Sequence, residues 1–183
     1  MVDSIMSADT PFGIPTNPRD SKKTPFAVNS EKTNEFDTPL LYLNGNKRII
    51  EYVRAKDIKK NSKDIKYPKM FIPKARGNSN DVADIVLGYP EFAPSGMVCS
   101  QTFIYAKFNT DVECRNFISY LKCKFFRALV FAAKITQDAL ASVYRFVPIQ
   151  DFTKPWTDSE LYAKYDLSDD EIAFIESMIK PME

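Results

Sequence analysis

Lysine and arginine crowd one stretch of this chain. Between Lys47 and Arg76, eleven basic residues face only Glu51, Asp57 and Asp64, a local excess of eight positive charges. Residues 150–183 reverse the sign, with nine acids against Lys154, Lys164 and Lys180. The formal net charge of +1 over 183 residues conceals both. Concentrated positive charge interleaved with aromatics and amides is the electrostatic footprint of a nucleic-acid surface, because phosphate contacts supply much of the affinity in such complexes. Any single lysine is equally well read as a solubilising group; only the stripe as a whole carries the reading. A second basic set, Lys122, Lys124, Arg127 and Lys134, is followed by Thr136, Gln137 and Arg145. Gln and Arg side chains can pair bidentately with base edges, while Lys and Thr suit phosphates.

Other chemistries lack their residues. There is no histidine, which removes the usual general base, the commonest metal ligand and any Ser-His or Cys-His pair within the chain. The five glycines fall in neither the GxGxxG nor the P-loop spacing. Cys99, Cys114 and Cys123 are odd in number and form no CxxC pair, so they read as structural thiols of a reducing cytosol. Asp57-Ile58-Lys59 and Asp64-Ile65-Lys66 echo the acid-x-Lys half of a metal-dependent nuclease site. A metal would need further convergent oxygens, no upstream acid at a strand end is evident, and a solvated charged face is the plainer reading. The amino terminus has no apolar h-region, and no stretch approaches the roughly 20 apolar residues of a membrane span. The expectation is a soluble, cytoplasmic chain with no membrane partner.

The elements that must position these groups follow from pattern. Residues 10–40 carry Pro11, Pro15, Pro18, Pro25 and Pro39, which disfavour helix. The large apolar groups Phe12, Ile14, Phe26 and Phe36 lie among them, so the segment should be extended and pinned to the body. Leu40 to Val53 reads as a hairpin turning at Asn44-Gly45. Residues 54–66 should be a short polar helix or loop, Lys69–Pro73 a strand, residues 74–80 a loop, and Val98–Phe108 another strand. From Asp111, apolar residues recur every three to four positions through Ala132, which predicts one amphipathic helix of about five or six turns. Val143–Ile149 reads as a short closing strand. Thr157-Asp158-Ser159-Glu160 and Ser168-Asp169-Asp170-Glu171 fit capping boxes that open short helices over 158–165 and 169–179. Without βαβ alternation the fold class is α+β: a small mixed sheet with hairpins on one long helix, plus two short C-terminal helices. The expected organisation is an extended segment over 1–39, a central domain over 40–150 and a helical appendage over 151–183. Phe103, Phe117, Leu121, Phe125 and Trp156 are expected in the core rather than as base-stacking platforms.

Several runs occur in a recognisable order: Lys69 to Ala75, Cys99-Ser100-Gln101-Thr102-Phe103, Phe117 to Arg127, Lys134 to Ala139, Tyr144 to Phe152, and Trp156-Thr157-Asp158. With the opening Ser7 to Gly13 and the closing Glu171 to Glu176, this order resembles the carboxy-terminal region of adenine-specific DNA methyltransferases of bacterial restriction–modification systems. The resemblance spans nearly the whole chain and implies a target-recognition domain, which chooses the DNA sequence to be methylated. It also implies partners: double-stranded DNA, the methyltransferase catalytic domain and, in some systems, a restriction subunit. In that family the catalytic half binds S-adenosylmethionine and receives the flipped adenine at an Asn/Asp-Pro-Pro-aromatic motif. The run Asn17-Pro18-Arg19-Asp20 lacks the second proline and the aromatic. The expectation is therefore a fragment, an excised domain or a truncated product, with no cofactor or catalysis of its own.

On that reading, phosphate contacts are expected from Lys59, Lys60, Lys69 and Lys122. Base-reading positions are expected at Lys74, Arg76, Gln101, Lys134 and Gln137. Two other readings remain open: a protein-interaction domain whose acidic tail docks a partner subunit, and a nuclease using the Asp-x-Lys pairs.

Overall fold

A computed structural model describes residues 1–19, 26–75 and 84–182. The chain folds as α+β in three layers, two small sheets and a layer of helices. The hairpin forms as its pattern requires: β1 (Thr38–Asn44) and β2 (Lys47–Val53) pair antiparallel in register from Thr38↔Val53 to Asn44↔Lys47. Gly45 opens the two-residue turn with φ +59°, a left-handed conformation that glycine adopts without a Cβ penalty. A short strand, β5 (Val98–Cys99), adds parallel to β1 and completes the first, mixed sheet.

The second sheet is antiparallel, with β3 (Lys69–Pro73) between β4 (Glu91–Ala93) and β6 (Phe103–Lys107). It lies in the middle of the molecule, so both of its faces are buried, which is why Met70-Phe71-Ile72 reads as an unbroken apolar run. Alternate residues go to different cores. Phe71, Phe103 and Tyr105 meet Leu40, Leu41 and Val53 of the first sheet. Met70, Ile72, Ile104 and Ala106 meet the helical layer through Phe117, Leu121 and Phe126. Residues on either side of the boundaries expected near 39 and 150 share these cores: Phe12 and Ile14 with β1, and Leu161 and Ile179 with the helices.

The start of the chain is pinned as its apolar content demands. Val2 N–H donates to Val147 O at 2.8 Å, Ser7 N–H donates to Tyr105 O at 2.7 Å, and the Phe12 ring stacks on Tyr105 with centroids 5.1 Å apart. Arg19 makes a two-pronged ion pair with Glu51 of β2, whose carboxylate also accepts from Tyr42 at 2.7 Å.

Three elements differ from their sequence pattern. The strand expected over Val98–Phe108 is two strands in two sheets. At Ser100–Thr102 the chain turns, with Phe103 N–H returning to Ser100 O at 3.1 Å, and passes from the first sheet to the second. The helix expected over 111–132 is α1 (Asp111–Lys122) and α2 (Lys124–Ala133), broken at Cys123, whose ψ is 142°. The strand expected over Val143–Ile149 is a 3₁₀ turn at Ala141–Tyr144 followed by irregular chain. Val143, Tyr144 and Val147 are buried while Arg145 and Phe146 are exposed, the i, i+1, i+4 spacing of a helical turn rather than the two-residue period of a strand.

The two C-terminal helices, α3 (Asp158–Lys164) and α4 (Asp169–Met178), open on complete capping boxes at Thr157/Glu160 and Ser168/Glu171. Phe103, Phe117, Leu121, Phe125 and Trp156 are all buried, and all three cysteines are buried and free. Among the described residues no helix is long and apolar enough to cross a membrane.

Candidate nucleic-acid interface

The polar stretch before β3 folds into two 3₁₀ turns, Ala55–Asp57 and Ser62–Asp64. Together with the Ser95–Gly96 turn and the end of β6, they enclose an open groove of about 900 Å³. Lys56, Lys63, Lys66 and Lys107 line it beside Tyr67 and the hydroxyl-bearing Ser62 and Ser95. The Lys66 and Lys107 ammonium groups lie 5.1 and 5.5 Å from the centroid of the Tyr67 ring, within the range of cation–π attraction. Four cations therefore meet one lining acid, Asp64, while Lys56 also pairs at 3.9 Å with Glu35 outside the lining. Lys107 Nζ and Tyr105 Oη donate to its carboxylate at 2.5 and 2.6 Å. Burial works against ionisation of Asp64, but these two bonds outweigh it and hold the carboxyl below its ordinary value. The groove keeps a positive excess.

The wall that carries Lys63 and Lys66 is held from three sides. Ser95 Oγ donates to Lys66 O at 2.9 Å, and Gly96 N–H donates to Ile65 O at 2.8 Å, with Gly96 at φ +94°. Asn61, left-handed at φ +50°, donates through Nδ2 to Pro11 O at 2.8 Å. From beneath, Lys69 Nζ donates to the carbonyls of Asp64 and Ile65 at 3.1 Å each, and to that of Tyr67.

Lys69 is thus not placed to meet a phosphate. Its side chain is fully buried, because the first position of a strand covered on both faces points inward. Burial pushes its ammonium down to about 8. The other positions expected to touch phosphate are distributed differently. Lys59 is exposed and donates to Lys56 O at 2.6 Å; Lys60 is exposed and donates to Asp9 O at 2.8 Å. Lys122 is half-buried at the end of α1, on the helical layer.

The expected base-reading positions converge only in part. Lys74 N–H donates to Thr102 O, Ala139 N–H donates to Lys74 O, and Ala75 bridges Asp138. The loops bearing Lys74, Gln101 and Gln137 therefore meet at one end of β3 and β6, while the basic groove lies at the other. Five strand residues separate the two, roughly 13 Å. Lys74 is ion-paired with Asp9 at 2.7 Å, and Gln101 donates to Thr16 Oγ1 at 2.9 Å. The main-chain carbonyl of Asp9 also accepts from Lys60. Gln137 is exposed, and Lys134 donates to Val86 O at 3.1 Å, which directs it away from a base edge. Arg76 lies outside the described residues.

Among the cations of the groove, Lys56, Lys63 and Lys66 belong to the stripe visible in sequence. Lys107 does not; the only signal for it is that it ends the run Phe103-Ile104-Tyr105-Ala106 as its first charged residue. Of the two Asp-x-Lys acids, Asp57 accepts from Arg54 Nε at 2.6 Å and Asp64 is committed as described. Among the described residues no three His, Cys, Asp or Glu residues gather where they could hold a metal ion. No family model matches the chain, and neither a curated protein nor a solved structure matches it.

Proposed function

We propose that this chain is a DNA-recognition module, of the kind that selects the site for a restriction–modification adenine methyltransferase. The observation that carries the reading is the groove in which Lys56, Lys63, Lys66 and Lys107 converge around Tyr67. Four ammonium groups on two walls of one concavity suit a phosphate backbone, which supplies a charge every few ångströms. The loop cluster at the other end of the central sheet, with Lys74, Gln101 and Gln137, offers donors and acceptors suited to base edges. Methyl transfer itself belongs on this reading to a catalytic half that binds S-adenosylmethionine, and no residue of this chain is assigned a part in it. Nor is cleavage proposed, since Asp57 and Asp64 are each engaged by a cation.

Titration of random duplex DNA across a salt series tests the reading. Log K should fall linearly with log salt, with a slope of about −3 for three to four phosphates, and Lys63→Ala with Lys66→Ala should flatten it. Weak binding that ignores salt would refute the proposal.

A further inference from the structure

The acidic end of the chain builds a second concavity of opposite character. Where α4 crosses α2, Phe125, Ala128 and Leu129 of α2 face Leu167, Phe174 and Ile175 across a groove of about 440 Å³. Asp170 and Glu171 form its rim. Ile175 serves both this groove and the packing of α4, but Phe174 serves only the groove. Ile172, Ile175 and Met178 already hold α4 against the helical core, one face at three-residue spacing. Phe174 belongs to a different face, 61 % exposed, and Asp170 and Glu171 precede it at i−4 and i−3 on the same side, with Leu167 in the turn before the helix. An unneeded phenylalanine beside an apolar trough is a surface cost that a bound partner would remove.

The surrounding charge selects the occupant. Asp170 and Glu171 line the groove, and Asp166 and Asp169 beside them in sequence are exposed as well, in a stretch with nine acids against three lysines. Of the nearby cations, Lys124 is bound to Glu176 and Lys164 to Gln150 Oε1 at 2.6 Å. A second copy related by a twofold axis would bring the acids of α4 against themselves, since such an interface uses the same patch twice. Anionic lipid and nucleic acid meet the same repulsion. We infer that the α2–α4 groove docks an amphipathic helix from a partner protein, its apolar stripe set against Phe174 and Leu129 and its Lys/Arg flanks against Asp170 and its neighbours. The lining residues run from Phe125 to Leu129 on α2 and from Asp170 to Ile175 on α4, about 6–8 Å along each helix, so the groove grips one to two turns of the bound segment, the helix-in-groove mode of recognition. The inference does not depend on DNA binding, which lies on the basic groove formed by other elements.

The test uses the whole chain and two labelled synthetic helices of identical Leu pattern, one with lysine and one with glutamate at its polar positions. Fluorescence anisotropy should show saturable one-to-one binding of the Leu/Lys peptide, at least tenfold tighter than the Leu/Glu peptide. Phe174→Ser should weaken it at least tenfold and Asp170→Lys several-fold, with circular dichroism and melting showing both variants folded. Lack of saturable binding, equal affinity for the two peptides, or undiminished affinity in folded Phe174→Ser would each overturn the inference. So would a dimer in sedimentation that Phe174→Ser dissolves and the Leu/Lys peptide does not, since the groove would then belong to a second copy.

Discussion

Lys69 Nζ donates to the main-chain carbonyl of Asp64 at 3.1 Å from inside the sheet, while the carboxylate of the same Asp64 faces the groove and accepts from Lys107 at 2.5 Å. One residue is thus held at both ends by lysines of opposite exposure. The buried lysine fixes the turn, and the exposed one belongs to the surface that the turn creates. Lys69 is a positioning residue for Lys63 and Lys66.

Replacing Lys69 by methionine keeps the apolar stem and leaves three turn carbonyls without their donor. Leaving buried acceptors unmade costs about 1–3 kcal/mol, so Lys69→Met should lower stability by about that amount in urea unfolding. Affinity for duplex DNA should fall with it as the wall loosens. The slope of log K against log salt should stay within a few tenths of wild type, because no phosphate contact is lost. A slope shallower by about 1 would instead mean that Lys69 itself meets a phosphate.

The same residue gives a pH dependence of definite sign. Its ammonium is held near 8 in the folded chain against an ordinary 10.5, chiefly by burial. Between those values the unfolded chain keeps a proton that the folded chain has released, so stability from this group rises with pH across that window and is flat below it. The stability of wild type minus that of Lys69→Met should therefore grow from pH 8 to pH 10.5, by on the order of 2–3 kcal/mol. Urea unfolding at closely spaced pH values reads the difference, and titrations common to both proteins cancel. A difference that shrank with rising pH would contradict a penalised ammonium.

Single substitutions should separate the cations of the groove. Lys63→Ala and Lys66→Ala each remove an ammonium that no acid pairs among the described residues, and each should reduce the magnitude of the salt slope by about 1. Lys107→Ala should do less to the slope, because Lys107 already neutralises Asp64 and its loss leaves that carboxylate facing the groove. It should nevertheless weaken binding more than either, by a nearly constant factor across the salt series. DNA binding by these three variants at four salt concentrations would distinguish them; identical effects would speak against Asp64 as a wall of the interface.

What sequence shows and what it hides divides along the range of the forces involved. The hairpin, the strand Lys69–Pro73 and the two capping boxes were legible because their causes are local: a glycine at φ +59°, an apolar run, a hydroxyl three residues before a glutamate. The break at Cys123 was not, because apolar spacing continues across it and its supports come from elsewhere. Asp158 Oδ2 and Oδ1 accept from the N–H groups of Lys124 and Phe125 at 3.0 and 2.8 Å, and Arg127 covers the Lys122 carbonyl that ends α1. The stripe of charge was legible as composition, but not which lysine turns inward; Lys69 is buried only because a second sheet covers its strand. Lys107 was hidden in the same way, brought to the groove by pairing of Lys69 with Lys107 across β3 and β6.

That remote cap is itself testable. Asp158 opens α3 and at the same time supplies the N-cap that α2 lacks in its own sequence, since Cys123 offers no side-chain cap there. Asp158→Ala should cost about 1–2 kcal/mol, the upper range for a lost N-cap, with no change in the denaturant m-value. Asp158→Asn retains an acceptor and should recover about half. If Asp158→Ala were neutral, the α1–α2 break would be held by Arg127 and by the bonds of Cys123 to Ser119 O and Trp156 O.

Tyr144 supplies a change in the opposite direction. Its ring lies in the helical core against Phe126, with centroids 6.1 Å apart, and its hydroxyl is buried without a hydrogen-bond partner among the described residues. Burial alone pushes its phenol above the ordinary value, as a hydroxyl taken from water without compensation requires. Tyr144→Phe removes that oxygen and leaves the ring contact in place. Stability should rise by about 1 kcal/mol, the lower end of the cost of an unmade buried hydrogen bond. For a chain of this size that is a rise in Tm of about 2–4 °C. Calorimetry of the two proteins at one pH decides it. A fall in Tm would mean that the hydroxyl is hydrogen-bonded in the folded chain.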